Sequence, residues 1–184
     1  MKQSIYRYNF PHKAIQANLE GMSPERLDAF GADLWWMSPP CQPYTVRGHQ
    51  KDLDDPRALS FKRVLGAVAA ARPRCIALEN VTGFGKSRAR TALLQTLDRL
   101  GYEHVERVLC PTELGIPNRR PRYYLTASST GGLRACKLKQ VGGEMPDYLD
   151  PEPGDGLFLA ESVVEKYGRA FDVVEVGDRE AVAT

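Results

Sequence analysis

The sequence predicts an α/β fold, a sheet with helices on both faces. Two short apolar runs carry the expectation, each ended by turn-forming residues. One is Asp33-Leu34-Trp35-Trp36-Met37 before Ser38-Pro39-Pro40, and the other is Cys75-Ile76-Ala77-Leu78 before Glu79-Asn80. Between them lies a stretch of helical periodicity, and a second helix followed by two strands comes after. Strands alternating with helices of ~10–15 residues imply parallel crossovers.

The first run reads as a buried strand stopped by proline. Asp55-Pro56 then reads as an N-cap with proline at the first helical position. Leu59, Val64, Leu65, Val68 and Ala69 recur at helical spacing, and Pro73 ends that helix. The second run reads as a second buried strand. A further helix is expected from Ser87 to Leu100, with Ala89, Leu93, Leu94, Leu97 and Leu100 inward and Gly101 as its stop. Tyr102 to Leu109 alternates as a strand does, and Arg122 to Ala127 reads as another. Ser128-Ser129-Thr130-Gly131-Gly132 is a linker signal. The stretch that follows, to Gly156, is polar and rich in glycine and proline, and 157–171 reads as a short helix. The expected organisation is a folded α/β body over 1–127, then a linker and a further region over 128–184.

Length and composition agree with a single globular core: 184 residues, 42% hydrophobic and 26% charged. No apolar run approaches the ~18 residues of a membrane helix. Cys41, Cys75, Cys110 and Cys136 form no CxxC pair, which argues against a zinc site or a disulfide framework and favours a cytoplasmic, reducing setting. The formal charge of +2 is uneven: residues 1–127 carry +7 and residues 128–184 carry −5. Basic groups cluster near 47–63, 86–90 and 119–122, which suits a polyanion such as nucleic acid.

In parallel sheets, ligands bind beyond the carboxyl ends of the strands. That rule brings Pro40-Cys41-Gln42 and Glu79-Asn80 to one edge. Two prolines before Cys41 stiffen the loop that projects its thiol, and a positioned thiolate is a strong nucleophile at neutral pH. A carboxylate at the end of a buried strand is poorly solvated, which suits Glu79 to proton donation. In an extended chain Arg120 and Arg122 point the same way, two planar forks for oxygen atoms. Cys41 to Arg47 also fits the C-x5-R spacing of cysteine phosphatases. That chemistry needs successive loop N–H groups on a phosphate; Pro43 has none, and the loop lacks glycine.

Taken in order, three motifs resemble the cytosine-C5 methyltransferase family: Ser38-Pro39-Pro40-Cys41-Gln42-Pro43, then Glu79-Asn80-Val81, then Asn118-x-Arg120-x-Arg122. The resemblance runs from Tyr6 to about Ala127. Tyr8-Asn9-Phe10-Pro11-His12, Pro43-Tyr44-Thr45, Thr82-Gly83-Phe84 and Leu114-Gly115-Ile116-Pro117-Asn118 are most similar to the branch acting on transfer RNA, and Asn118 stands where most DNA-acting members would have glutamine. The resemblance implies a partial Rossmann-like sheet and S-adenosylmethionine as methyl donor. It implies DNA or transfer RNA as partner. Catalytic roles fall to Cys41 as nucleophile, Glu79 as acid, and Arg120 backed by Arg122 at the base oxygen. Asn18, Leu19, Pro39 and Pro40 are implied on the cofactor side. Arg47, Lys51, Arg57 and Arg63 are candidates for phosphate contacts, with Asn118 beside the nucleic acid.

The sequence departs from the family pattern in lacking its Phe-x-Gly-x-Gly turn, the main cofactor motif. Truncation at both ends is therefore the expectation. A non-catalytic nucleic-acid-binding remnant is the alternative reading. The chain alone should bind S-adenosylmethionine weakly or not at all in calorimetric titration; micromolar affinity would contradict this.

Overall fold

The computed structural model describes residues 2–11, 14–45, 51–134, 137–148 and 160–167. In chain order the helices and strands are α1 (Lys2–Asn9), α2 (Pro24–Asp28), β1 (Leu34–Met37), α3 (Leu59–Ala71), β2 (Cys75–Val81), α4 (Arg88–Leu100), β3 (Glu103–Leu109), β4 (Arg122–Ser128) and α5 (Glu161–Tyr167). The chain divides into two compact units. The first joins Met1–Arg107 with Tyr123–Leu133, and the second joins Val108–Arg122 with Arg134–Thr184. Among the described residues, no helix is long and apolar enough to cross a membrane.

The four strands lie in the order β1-β2-β4-β3. β1 and β2 are parallel, with Leu34 opposite Cys75 and Met37 opposite Leu78. Joined through α3, they form the expected crossover unit, and both strands end at the same edge of the sheet. β2 is buried on both faces: Ile76, Ala77 and Leu78 are 1%, 5% and 1% exposed. This is the environment of an interior strand in a parallel sheet. β1 corrects the sequence reading. It is an edge strand in the described sheet, and Leu34 and Trp36 are exposed while Trp35 and Met37 turn toward the core. Apolar composition marked it as a buried strand, but it lies at the edge of the described sheet with one face exposed.

α3 and α4 form where the periodicity placed them, whereas α1 and α2 were not read from the sequence; of the helix expected over 157–171, residues 161–167 are helical and 157–159 and 168–171 lie outside the described residues. Ser87 caps α4 by accepting from the Arg90 N–H at 3.0 Å. At its other end Gly101, at φ 76°, takes the left-handed stop. Ala89, Leu93 and Leu97 of α4 are completely buried against β2 and β4 core residues. Asp55 caps as expected, accepting from the Arg57 N–H at 2.9 Å, but it starts a 3-10 turn over Pro56–Ala58 that passes into α3 only at Leu59. Leu59, read as inward, is exposed, and Phe61 takes the core position instead. Phe61 and Tyr44 meet Phe84 edge-on at centroid distances of 5.8 and 5.0 Å. Tyr123 tilts against Phe84 at 5.2 Å, so Phe84 is the aromatic centre of the first unit.

β3 alternates as predicted, but its half-buried positions include His104 and Glu106 while Val105 is exposed. The cause lies on α4. Arg90 grips the Glu106 carboxylate with two hydrogen bonds of 2.5 and 2.7 Å, the Tyr123 hydroxyl donates to the same carboxylate, and Asp98 meets His104 at 2.9 Å. The Arg90 guanidinium holds the Glu106 carboxyl below its ordinary range. A depressed carboxyl stabilises the fold above its unfolded pKa, and that contribution fades as pH falls through the folded value. Glu106→Gln should therefore lower stability by about 1.5–3 kcal/mol at pH 7. In thermal melts the gap from the parent should close below about pH 4; a gap unchanged from pH 7 to pH 3 would exclude the charge as its source.

Candidate active site

Cys41 lies four residues beyond β1, on the edge where β2 carries Glu79. It is half-buried and opens a 3-10 turn over Gln42–Tyr44, its carbonyl accepting from the Tyr44 N–H at 2.9 Å. Pro43 and Tyr44 of this turn are buried. Glu79 is half-buried within β2, which continues to Val81. Its neighbour Asn80 is 2% exposed and was given no separate role by sequence reasoning. Asn80 Nδ2 donates to the Pro39 carbonyl at 3.1 Å, and its Oδ1 accepts from the Val81 N–H at 2.9 Å. The amide therefore ties the two prolines before Cys41 to the strand that bears Glu79. A polar residue at the end of an apolar strand was the available signal.

Leu19, Pro39 and Pro40 come together around one cavity of about 260 Å3, closed on its other sides by Trp36, Met37, Phe61 and Val64, with Ser38 and Ser60 at its wall. Three of the four residues implied for the cofactor thus share a lining. Asn18 does not line it; its side chain caps the 3-10 turn Leu19–Gly21 by accepting from the Glu20 N–H at 3.0 Å. A neighbouring apolar cavity of about 330 Å3 shares Leu19, Trp36, Met37 and Val64, and extends under Phe30 and Leu34.

The candidate phosphate contacts fare differently. Lys51 and Arg63 are exposed. Arg57 is engaged in a two-pronged pair with buried Asp55 at 2.8 and 2.7 Å, which holds the Asp55 carboxyl down at about 2. Arg47 lies outside the described residues. Asp52, which sequence reasoning passed over, sits at φ 52° and accepts from the Arg88 and Ala89 N–H groups, closing the N-terminus of α4. Burial raises the Tyr44 hydroxyl to about 12, aided by the charges of Asp52 and Asp55.

Asn118, Arg120 and Arg122 belong to the second unit. There the Asn118 carbonyl accepts from the Arg120 N–H at 3.1 Å and from the Cys110 thiol at 3.7 Å. The hydroxyl of Thr112 holds the Cys110 thiol below its usual range. Arg120 is exposed; Arg122 is half-buried and donates to the Pro121 carbonyl at 2.9 Å.

The Cys41 loop and Glu79 at the carboxyl edge of a parallel βαβ unit, beside an apolar cleft, define an α/β protein with its candidate site where such sheets bind ligands. Residues 2–142 match the model of the C-5 cytosine-specific DNA methylase family, and the chain belongs to that family. Among its relatives, the tRNA (cytosine(38)-C(5))-methyltransferase of Homo sapiens is 44% identical over 126 residues, covering 67% of this chain and 32% of the relative. A DNA (cytosine-5)-methyltransferase of Dictyostelium discoideum is 39% identical over 147 residues, covering 77% and 39%. The solved structure of a methyltransferase from Entamoeba histolytica superposes with a TM-score of 0.86 at 29% identity, covering 96% of this chain and 57% of that one. The chain thus spans about a third of the length of these curated relatives.

Asn80→Ala would leave the Val81 N–H and the Pro39 carbonyl without their partner. Chemical denaturation should show a loss of about 1–3 kcal/mol; an unchanged midpoint would mean that the tie does not hold the loop.

Proposed function

We infer that this chain carries the catalytic centre of a methyltransferase acting on C5 of cytosine in nucleic acid, with transfer RNA the favoured substrate over DNA. The observation that supports it most is the pairing of β1 with β2. It sets the Cys41 loop and Glu79 on one sheet edge, joined through Asn80 and Pro39. The tRNA preference rests on the 44% identity to the Homo sapiens tRNA enzyme and on the stretches around Tyr8, Thr82 and Leu114. A cytoplasmic setting agrees with the unpaired cysteines.

An unactivated ring carbon needs covalent help. In this reading the target cytosine leaves its stack, and the Cys41 thiolate adds to C6. Glu79 donates a proton at N3, which draws electron density out of the ring and favours that attack. Arg120, with Arg122 behind it, holds the O2 side and opposes charge that develops there. C5 is thereby made nucleophilic. S-adenosylmethionine, when bound, supplies an electrophilic methyl group. After transfer, a base accepts the C5 proton, Cys41 departs as thiolate and N3 returns its proton to Glu79, which restores the ring.

The cavity beside Pro39 and Pro40 fits part of that donor. Its apolar wall of Leu19, Trp36, Phe61 and Val64 suits a flat ring and a hydrocarbon chain, and the wall holds no carboxylate for a ribose. Leu19, Pro39 and Pro40 would hold the group there. Residues 1–127 form the catalytic part of this reading, and 128–184 the linker and the beginning of a recognition region. Lys51, Arg63 and Arg47 would meet phosphates, with Asn118 beside the strand.

Cys41→Ala should abolish the denaturant-resistant adduct with an RNA hairpin carrying a cytosine analogue blocked at C5. An adduct that persists would remove Cys41 as the nucleophile. Glu79→Gln should slow adduct formation by roughly 10²–10⁴-fold, and an unchanged rate would remove Glu79 as the acid.

A further inference from the structure

The turn that carries Cys41 is held on two sides by one segment. On the N-terminal side, Asn80 binds the Pro39 carbonyl at 3.1 Å. On the C-terminal side, the Tyr44 carbonyl lies directly over Gly83. A Cβ built at Gly83 would stand 2.3 Å from the Tyr44 oxygen and 3.5 Å from its carbon. The obstacle is backbone, so it cannot turn aside as a side chain would. Tyr44 has little freedom to retreat: it is 7% exposed, and its ring is seated edge-on against Phe84. Its N–H is bonded to the Cys41 carbonyl at 2.9 Å, so a shift of Tyr44 is passed to Cys41 through the turn.

We propose that Gly83 is a positioning residue for the nucleophile. The lack of a side chain there lets the Cys41 turn close onto the segment that follows Glu79, and so fixes where the turn presents its thiol. Gly83 has no need of left-handed backbone, since it is absent from the positive-φ glycines. What the site requires of it is room, and only glycine supplies it. The inference rests on reading Cys41 as nucleophile and Glu79 as acid. Gly85, two residues on, provides a matched control. A Cβ there would meet the Tyr123 ring at 3.5 Å, an ordinary contact with a side chain.

The test compares Gly83→Ala with Gly85→Ala in the whole chain. Native alkylation by iodoacetamide is followed at each cysteine by peptide mass spectrometry, with Cys75 and Cys110 as internal references. Gly83→Ala should change the Cys41 rate at least threefold while the reference thiols stay within 1.5-fold of the parent, and Gly85→Ala should leave all three unchanged. Adduct formation on the blocked-cytosine hairpin should fall about tenfold or more with unaltered affinity for the RNA. Equal Cys41 rates in the two variants would overturn the proposal. So would loss of a cooperative melt in Gly83→Ala alone, since the glycine would then serve the fold and not the thiol. If the parent chain forms no adduct even with S-adenosylmethionine in large excess, the functional reading fails, while the alkylation rates still decide whether Gly83 positions Cys41.

Discussion

The amide of Asn80 reaches across 41 residues of sequence to the Pro39 carbonyl, and most of what the site can do depends on that bond. Parallel pairing of β1 and β2 brings two strand ends to one edge but leaves the loops beyond them undetermined. A proline-bounded loop has few conformations, yet it still needs an anchor to select one. Asn80 supplies it from inside the core, where an unpaired amide would be costly. The loop before Cys41 is thereby tied to the strand that carries Glu79. Phe84, five residues past Glu79, extends the same strand end into the aromatic centre and seats Tyr44 from the other side.

A second tie, among Arg90, Glu106 and Tyr123, joins α4 to β3 and β4. It explains why β3 turns charged residues inward and valine outward. A fork of arginine donors on a half-buried carboxylate leaves few lone pairs unmet, and the Tyr123 hydroxyl takes up another. Tyr123 directly follows Arg122, so this contact also fixes the point at which the chain returns to the sheet from the second unit.

The basic character of residues 1–127 acquires a different meaning in three dimensions. Arg57, Arg88 and Arg90 lie in the clusters that suggest a polyanion partner, yet each is paired with a carboxylate of the protein itself. Asp52 and Asp54 dock the loop before α3 onto Arg88 and Ala89 at the start of α4, while Asp55 holds Arg57 within the loop itself. In the first unit Lys51, Lys62, Arg63 and Lys86 are exposed instead.

Sequence alone determined the chain order of strands and helices, the inward face of α4 and the caps at Asp55 and Gly101, and it nominated Cys41 and Glu79. These are local matters of periodicity, turn chemistry and residue type. It misjudged β1 because an apolar run has the same composition at an edge as in the middle of a sheet, and strand order is a property of the whole chain. It passed over Asp52, and gave Asn80 and Gly83 no role beyond their motifs, because their partners, the N–H groups of Arg88 and Ala89, Pro39, and the carbonyl of Tyr44, lie about 40 residues away. A hydrogen bond or a close backbone approach across that distance leaves no periodic trace. Only the packing of β1 against β2, and of the 41–45 turn against the strand end, decides which amide is an anchor and which glycine has to be small.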